Sequence, residues 1–452
     1  MSCTMFKKMN FKSKLVVLTL FAIFAKPVLA EPLTLMQAYK ASLVSNKSVL
    51  SKQSMLEADS EEIDQAWSKV LPSVTVNGSV GKGRYDTAFI EDEDEAISRV
   101  SIRLTQPVFS LSRFRGINKA ELTVARSSAE FDMELYGIAL ETTQAYLDVL
   151  AFKKEAHIAQ QQANDHLIRI QRLEALLEKG LATRVDLLET RSRYDESKAK
   201  SIQAKNDYKV AVKKLEQYIG ANKIDVIEVD ETLWKQSETL LNDTIDWPAL
   251  ALENSYTIKM AQLRLEESQS DVSVRQAEYW PEVNLKAEYG KYESYENSIE
   301  KNAKIELELS MPLYQGGQTS SAVRASKSRA QSNVYYLEDR KLFVVLKTEE
   351  VMTNIKGSYE NIMAYQAILE SSNAYLESAE KGLQHGVRGM YDVLEAKTRL
   401  FDAQSRLNAE IYKNIKLQLE LLFLTSAFGE AEMQSFLAGH FAAYMQQEII
   451  RE

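Results

Sequence analysis

The feature that most constrains this chain is a proline-free run from about Leu111 to Lys179 whose core-type positions recur every 3.5 residues. Leu135, Ile138, Thr142, Ala145, Val149 and Phe152 follow one another at spacings of three and four. The pattern continues through Ala156, Ala159, Ala163, His166, Ile170, Leu173 and Leu177. A sustained 3.5-residue repeat marks a supercoiled helix pair. At 1.5 Å per residue the helix is roughly 100 Å long. A rod of that length needs partner helices along its flank.

The run stops at Gly180, a residue that ends helices well. From there the chain reads Gly180, five residues, Asp186, two apolar residues, Glu189, then Arg191 and Arg193. The same order returns at Gly386, Asp392, Glu395, Lys397 and Arg399. A second 3.5-residue pattern precedes it, with Val344, Thr348, Val351, Ile355, Ser358 and Ile362 among its positions. Pro72 maps to Pro281 and Pro107 to Pro312 at nearly the same offset, near 206 residues. A shared order of motifs at a steady offset is internal repetition.

Each copy reads helix, strand, strand, long helix, Gly turn, helix. The first spans 31–220: a helix from Leu35 to about Lys69, strands near 73–85 and 98–107, the long helix 111–179, and a helix 183–220. Residues 221–246 form an equatorial connection without periodicity. The second copy spans 247–428: a helix 247–280, strands near 282–292 and 304–312, the long helix 319–384, and a helix 389–428. Residues 429–452 are a tail with no strong signal. The fold class is α+β, with long antiparallel coiled-coil helices and four strands.

The strands alternate with period two. Val74, Val76 and Val80 alternate with Thr75, Asn77 and Ser79; Ile305, Leu307 and Leu309 alternate with Glu306 and Glu308. Pro107 and Pro312 are expected to end their strands, because proline cannot donate to a ladder. Between the first two strands lies an acidic stretch, Asp86 to Ala96, read as a solvated loop. Arg103, Lys286, Glu306 and Glu308 share one face. That suits either a soluble sheet with one wet face or part of a barrel with lipid outside and water inside. Trp67, Trp280, Phe109 and Tyr314 flank the strands at one end, and Tyr85, Phe89, Tyr289 and Tyr292 at the other, as interface aromatics would. Four strands cannot close a barrel alone; two copies would supply eight strands and three would supply twelve.

The first thirty residues read as a secretory signal peptide. Lys7, Lys8, Lys12 and Lys14 precede an apolar run of about eleven residues, and Val28-Leu29-Ala30 fits a cleavage site. Removing residues 1–30 takes five lysines and no acid, leaving 50 basic against 64 acidic residues, a net charge of −14. That balance does not suit nucleic acid. The single cysteine, Cys3, lies in the leader, so the mature chain has no disulfide or thiolate site. No later stretch approaches eighteen apolar residues, so no membrane helix is expected. The histidines, His157, His166, His385 and His440, form no ligand pattern, and there is no Gly-rich phosphate loop. An enzyme, a cofactor and a resident metal are therefore not expected. A structural or adhesive periplasmic coiled-coil protein remains the alternative to a channel.

A resemblance separates these readings. Ser310-Met311-Pro312-Leu313-Tyr314-Gln315-Gly316-Gly317, Leu104-Thr105-Gln106-Pro107-Val108-Phe109, Leu35-Met36-Gln37-Ala38-Tyr39 and the two Gly turns stand in the order seen in the TolC family. The chain resembles these outer-membrane efflux and secretion channels from about Leu33 to Phe428. The resemblance implies a homotrimer with one twelve-stranded barrel in outer-membrane lipid and a helical tunnel in the periplasm. It implies a passive duct for small molecules or unfolded proteins in type I secretion. Its partners would be a periplasmic adaptor (membrane fusion) protein and an inner-membrane pump of ABC or RND type.

By residue match, the resemblance places Asp186, Asp392 and Glu395 in a pore constriction and Arg388 in the network that closes it. It places Gly180, Leu181, Gly386 and Val387 on the tip surface that adaptors grip. A tyrosine common in the closing network is matched here by Leu383. Apart from the resemblance, Asp186 and Asp392 sit near helix N-termini, where an acid stabilises the macrodipole by up to about 1 kcal/mol. The two roles can coexist.

Overall fold

The computed structural model describes residues 32–84, 94–242, 245–294 and 298–440. The leader, Tyr85, Phe89 and most of the acidic stretch lie outside the described residues. The first copy comprises α1 (Leu35–Ser45), α2 (Lys47–Ser68), β1 (Ser73–Arg84), β2 (Asp94–Ser110), α3 (Leu111–Glu178) and α4 (Arg184–Ile219). A 3-10 turn (Glu231–Lys235) and α5 (Gln236–Asn242) follow. The second copy comprises α6 (Trp247–Asn254), α7 (Tyr256–Ala277), β3 (Glu282–Ser294), β4 (Ser298–Ser310), α8 (Gln318–Gln384) and α9 (Met390–Leu424), and α10 (Glu430–Leu437) closes the described chain.

Two helices expected to be continuous are broken. Asn46 leaves the helical region (φ −68°, ψ 131°) and caps both sides. Its N–H bonds the Ser42 carbonyl, and its Oδ1 accepts from the Ser48 N–H at 2.9 Å. Asn46 Nδ2 also donates to the Tyr218 carbonyl at 3.1 Å, so the break is anchored to α4. Ser255 breaks the second copy between α6 and α7 in the same way, its N–H bonding the Ala251 carbonyl at 3.0 Å. An Asn whose side chain competes with backbone bonding favours a cap of the first kind; at Ser255 the backbone alone makes the bond.

The sheet is antiparallel in the order β1-β2-β3-β4. β2 begins at Asp94, inside the expected loop, and runs three residues past Pro107 to Ser110. A register shift between Pro107 and Phe109 absorbs the missing N–H. β4 ends at Ser310, before Pro312. The register stacks Thr75, Arg103, Glu288 and Lys304 across all four strands, and Val76, Ile102, Tyr289 and Ala303 on the opposite face. Arg103 pairs with Glu288 at 3.1 Å and Lys286 with Glu308 at 2.6 Å. Tyr292 belongs to this charged face, beneath the Arg99 guanidinium at 4.9 Å, and not to an apolar belt. The other face is apolar and exposed: Val76 69%, Ile305 78%, Leu307 67%.

α3 packs first against α2 and then against α4; α8 packs against α6 and α7 and then α9. The copies meet where α3 touches α7 and α9. The main core lies midway along the rods, where Tyr39, Tyr146, Leu215, Val351, Leu419 and Phe428 are buried together. The stretch 221–246 supplies Val226, Leu233, Trp234 and Leu240 to this core. Leu33 forms a parallel bridge with Val226, and the Tyr146 hydroxyl donates to the Ile227 carbonyl at 2.6 Å.

The tail contributes α10, which the sequence did not announce. Met433 and Phe436 are fully buried in the main core. Gln236 Nε2 donates to the Phe436 carbonyl at 2.9 Å, and Lys40 pairs with Glu430 at 2.5 Å. Truncating Phe436 to Ala should cost about 3–5 kcal/mol. Gln434→Ala, on the exposed side of α10, should stay within about 0.5 kcal/mol. Chemical denaturation of the two variants checks this; equal midpoints would contradict a core role for α10.

Candidate functional site

The candidate site is the pair of turns at the end of the rods away from the sheet. Both are built alike. Gly180 and Gly386 adopt φ of +67° and +72°, a region that favours glycine. Around the first, the Leu181 N–H bonds the Leu176 carbonyl (2.8 Å) and the Gly180 N–H the Leu177 carbonyl (2.9 Å). Around the second, Val387 bonds Gly382 (2.9 Å) and Gly386 bonds Leu383 (3.2 Å). These are paired Schellman closures. They project Leu181 and Val387 outward, 72% and 78% exposed.

The next helix starts at once. Thr183 caps α4, its Oγ1 accepting from the Asp186 N–H at 3.1 Å. Asp186 in turn accepts from the Thr183 N–H (3.2 Å) and hydroxyl (2.6 Å). In the second turn Gly389 has no side chain to cap with, but Asp392 still accepts from the Gly389 N–H at 3.0 Å. Both acids are half-buried at the third position of their helices, where the helix dipole favours negative charge. Arg388 Nη1 stands 3.7 Å from Asp392. Glu395, one turn on, accepts from Arg399 at 2.6 Å, and Arg399 lies over the Tyr375 ring at 5.6 Å.

The turns are neighbours. Met390, the first residue of α9, packs on Ile170, Leu173 and Leu187 from the first copy. Arg169 Nη1 donates to Met390 Sδ at 3.2 Å. Lys397 pairs with Asp165 of α3 at 2.5 Å and approaches Glu380 of α8 at 4.0 Å. In the first copy Arg191 takes the corresponding place and pairs with Glu174 at 2.6 Å. These ties were missed as site residues, although the motif held their signal: a basic residue two positions after the Glu in each copy. Gly382 was missed as well. A Cβ there would stand 2.6 Å from Arg388 Cγ, so the bare backbone is the seat of that arginine.

His166 lies on the α3 seam and is buried. Burial first, and then the Arg169 charge, hold its imidazole below the ordinary value; Lys397 and Arg193 act the same way and Asp165 opposes them. With a folded value below the unfolded one of about 6.5, the unfolded chain binds the extra proton first as pH drops. The stability is present above about pH 6.5 and is lost as pH falls toward the folded value.

Two predictions follow from this packing. The melting temperature should fall between about pH 7.5 and 5.5, and His166→Gln should flatten that fall; an unchanged slope would count against the buried neutral imidazole. Gly382→Ala should destabilise the tip by about 1–3 kcal/mol through overpacking, measured by thermal denaturation. It should also displace Arg388; a crystal structure with Arg388 unmoved would contradict this.

The chain matches the family profile of outer membrane efflux proteins over residues 38–221 and 247–423, which takes in both copies and both turns. It is 24% identical to the outer membrane protein TolC of Salmonella enteritidis over 440 residues, covering 94% of this chain and 88% of TolC. It is 24% identical over 377 residues to the alkaline protease secretion protein AprF of Pseudomonas aeruginosa, covering 82% of this chain and 76% of AprF. A solved membrane protein of Pseudomonas aeruginosa shares its fold with a TM-score of 0.77 at 15% identity, covering 86% of this chain and 90% of that one. The family is one of outer-membrane export proteins, not of enzymes, and the poreless coiled-coil alternative is left without support. The chain belongs to the outer membrane efflux protein family: an exit duct of the outer membrane whose helical rods extend into the periplasm.

Proposed function

We propose that three copies of this chain close their sheets into one twelve-stranded barrel, and that the rods beneath form a tunnel narrowed by the Gly turns. The observation that carries this reading is the two-faced sheet with two open edges. Its apolar face is exposed in the single chain and suits lipid. Its other face carries ion pairs that suit a water-filled lumen. β1 and β4 each have one unpaired side. In hydrocarbon each unbonded backbone group costs several kcal/mol, so the edges must pair, and closure with further copies pairs them.

At the tip, three copies of Asp186, Asp392 and Glu395 around a narrow opening make a cation-attracting constriction. Arg388, held against Gly382 and Asp392, holds the second turn closed. The protruding Leu181 and Val387 give apolar grips to a periplasmic adaptor, which couples the duct to an inner-membrane pump. The chain supplies no energy; transport is driven by that partner. The AprF likeness supports a protein cargo and the TolC likeness supports efflux, and one duct can serve both.

Purified protein in planar bilayers should conduct and prefer cations under a salt gradient. Asp186→Asn with Asp392→Asn should move the reversal potential toward zero. A selectivity that does not change would contradict the constriction, and an absence of conductance would contradict the duct.

A further inference from the structure

At the sheet end of the rods, α3, α7 and α8 enclose a cleft of about 350 Å³. Lys119, Arg264, Arg275 and Arg329 line it together with two carboxylates, Glu267 and Asp271. Both carboxylates are taken. Glu267 accepts from Arg126 Nε at 2.7 Å and from the Thr123 hydroxyl at 3.0 Å. Asp271 pairs with Lys119 at 2.7 Å. Arg275 pairs outside the cleft, with Glu278 at 2.8 Å. That leaves Arg264 and Arg329, neither of which has an ion-pair partner among the described residues. Arg264 is held in place all the same. Its guanidinium lies over the Tyr336 ring at 5.0 Å, and Arg340 stands over the same ring at 5.3 Å. Stacking occupies the flat face of a guanidinium and leaves its N–H edge able to donate. Arg329 lies one turn before Asn333, whose half-buried amide also lines the cleft. The first copy has no counterpart to this charge: at the 206-residue offset Arg329 corresponds to Thr123, which is neutral and bonded to Glu267.

The cleft lies on the same side of the chain as the charged face of the sheet. Glu282, at the start of β3, shares that face with Lys286. It accepts from the Ser110 hydroxyl at 2.6 Å and the Ser112 hydroxyl at 3.3 Å. Ser112, Gly116, Lys119 and Thr123 then follow along one side of α3 at spacings of four, three and four. Lys119 lines the cleft, and all three residues after Ser112 line the groove that continues from it toward α2. Phe114 points to the other side of α3 and is exposed.

We propose that this cleft binds a small anion bearing a phosphate or carboxylate group, held by the N–H edges of Arg264 and Arg329 and by the Asn333 amide. Its place in the lumen rests on the duct proposed above. Two guanidinium groups in one cleft without carboxylate partners repel each other, and an anion between them turns that repulsion into attraction. The planar fork of arginine matches the paired oxygens of phosphate and carboxylate. The ligand is a solute or cargo molecule in the lumen, not a lipid head group, because the cleft shares the water-facing side of the sheet. The duct then carries two charge stations of opposite sign. An anionic solute is repelled by the acids of the tip and meets a binding place near the barrel.

The test uses the full chain purified in detergent, with pyrophosphate as the probe in buffer free of divalent cations. Titration calorimetry should show saturable binding with one site per chain. Arg264→Gln with Arg329→Gln should weaken that binding by about tenfold or more. Arg324→Gln should leave it unchanged, since Arg324 is exposed on α8 but lies roughly 140° round the helix from Arg329. In planar bilayers pyrophosphate should lower the current through the parent protein and leave that of the double variant unaffected. A conducting protein that binds no pyrophosphate would overturn the anion site and leave the duct standing. Binding weakened equally by Arg324→Gln would overturn the cleft as its seat. Binding that is lost in the double variant, with a parent current indifferent to pyrophosphate, would overturn the lumenal placement. A double variant that no longer forms trimers, made from a parent that binds no pyrophosphate, would assign these arginines to carboxylates of a second copy and overturn the proposal.

Discussion

Backbone hydrogen bonding at the edges of a small sheet is the constraint on which the rest of this structure depends. A strand that enters hydrocarbon must have both sides bonded, and a chain with four strands leaves two sides open. The alternation along the strands adds a second demand: one face needs lipid and the other needs water. Satisfying both demands calls for closure by further copies. Once the strands are arranged around an axis, the helices that leave them descend around the same axis. Their length then reads as reach, and the ends of the rods become the place where the tunnel can be narrowed.

The rods are held by seams that are alike in geometry and unequal in chemistry. On α8 the buried seam positions are small or apolar, as with Thr348, Val351, Ile355 and Ile362, while α3 also buries Gln162 and His166. Between the two copies the seam is polar, with Lys397 and Lys416 of α9 paired to acids of α3. The Gly turns fix where these seams end. Their Schellman closures bring the chain back within a few residues, so that the acid at the third position of the next helix both caps that helix and faces the tip. In the proposed duct, stability and gating would thus draw on the same carboxylates.

Much of this was legible in the sequence because the repeat is strict. The offset from Gly180 to Gly386 and the four-three spacing of the long helices carry the rods and the turns. The alternation of Val74, Val76 and Val80 carries the strands. Three things were not legible, for physical reasons. The break at Asn46 depends on a side-chain cap and a tertiary bond to Tyr218, and the one at Ser255 on a backbone cap to Ala251; neither leaves a periodicity to read. The equatorial stretch and α10 supply isolated anchors such as Trp234, Met433 and Phe436 to a shared core, and single anchors make no pattern. The passage of β2 beyond Pro107 depends on a bulge against β3, which only the pairing register reveals. At the tip, the place of Asp186 and Asp392 at the helix starts was legible in the motif, whereas the seat of Arg388 on Gly382 required coordinates. The bond from Lys397 to Asp165 joins residues 232 positions apart.

The most direct test of this account is the mass of the purified protein in detergent, measured by light scattering with the detergent contribution subtracted. Closure of the sheets predicts particles of three chains that do not dissociate on dilution. A particle of one chain would leave the sheet edges unpaired and contradict the account. A particle of two would contradict the twelve-stranded barrel.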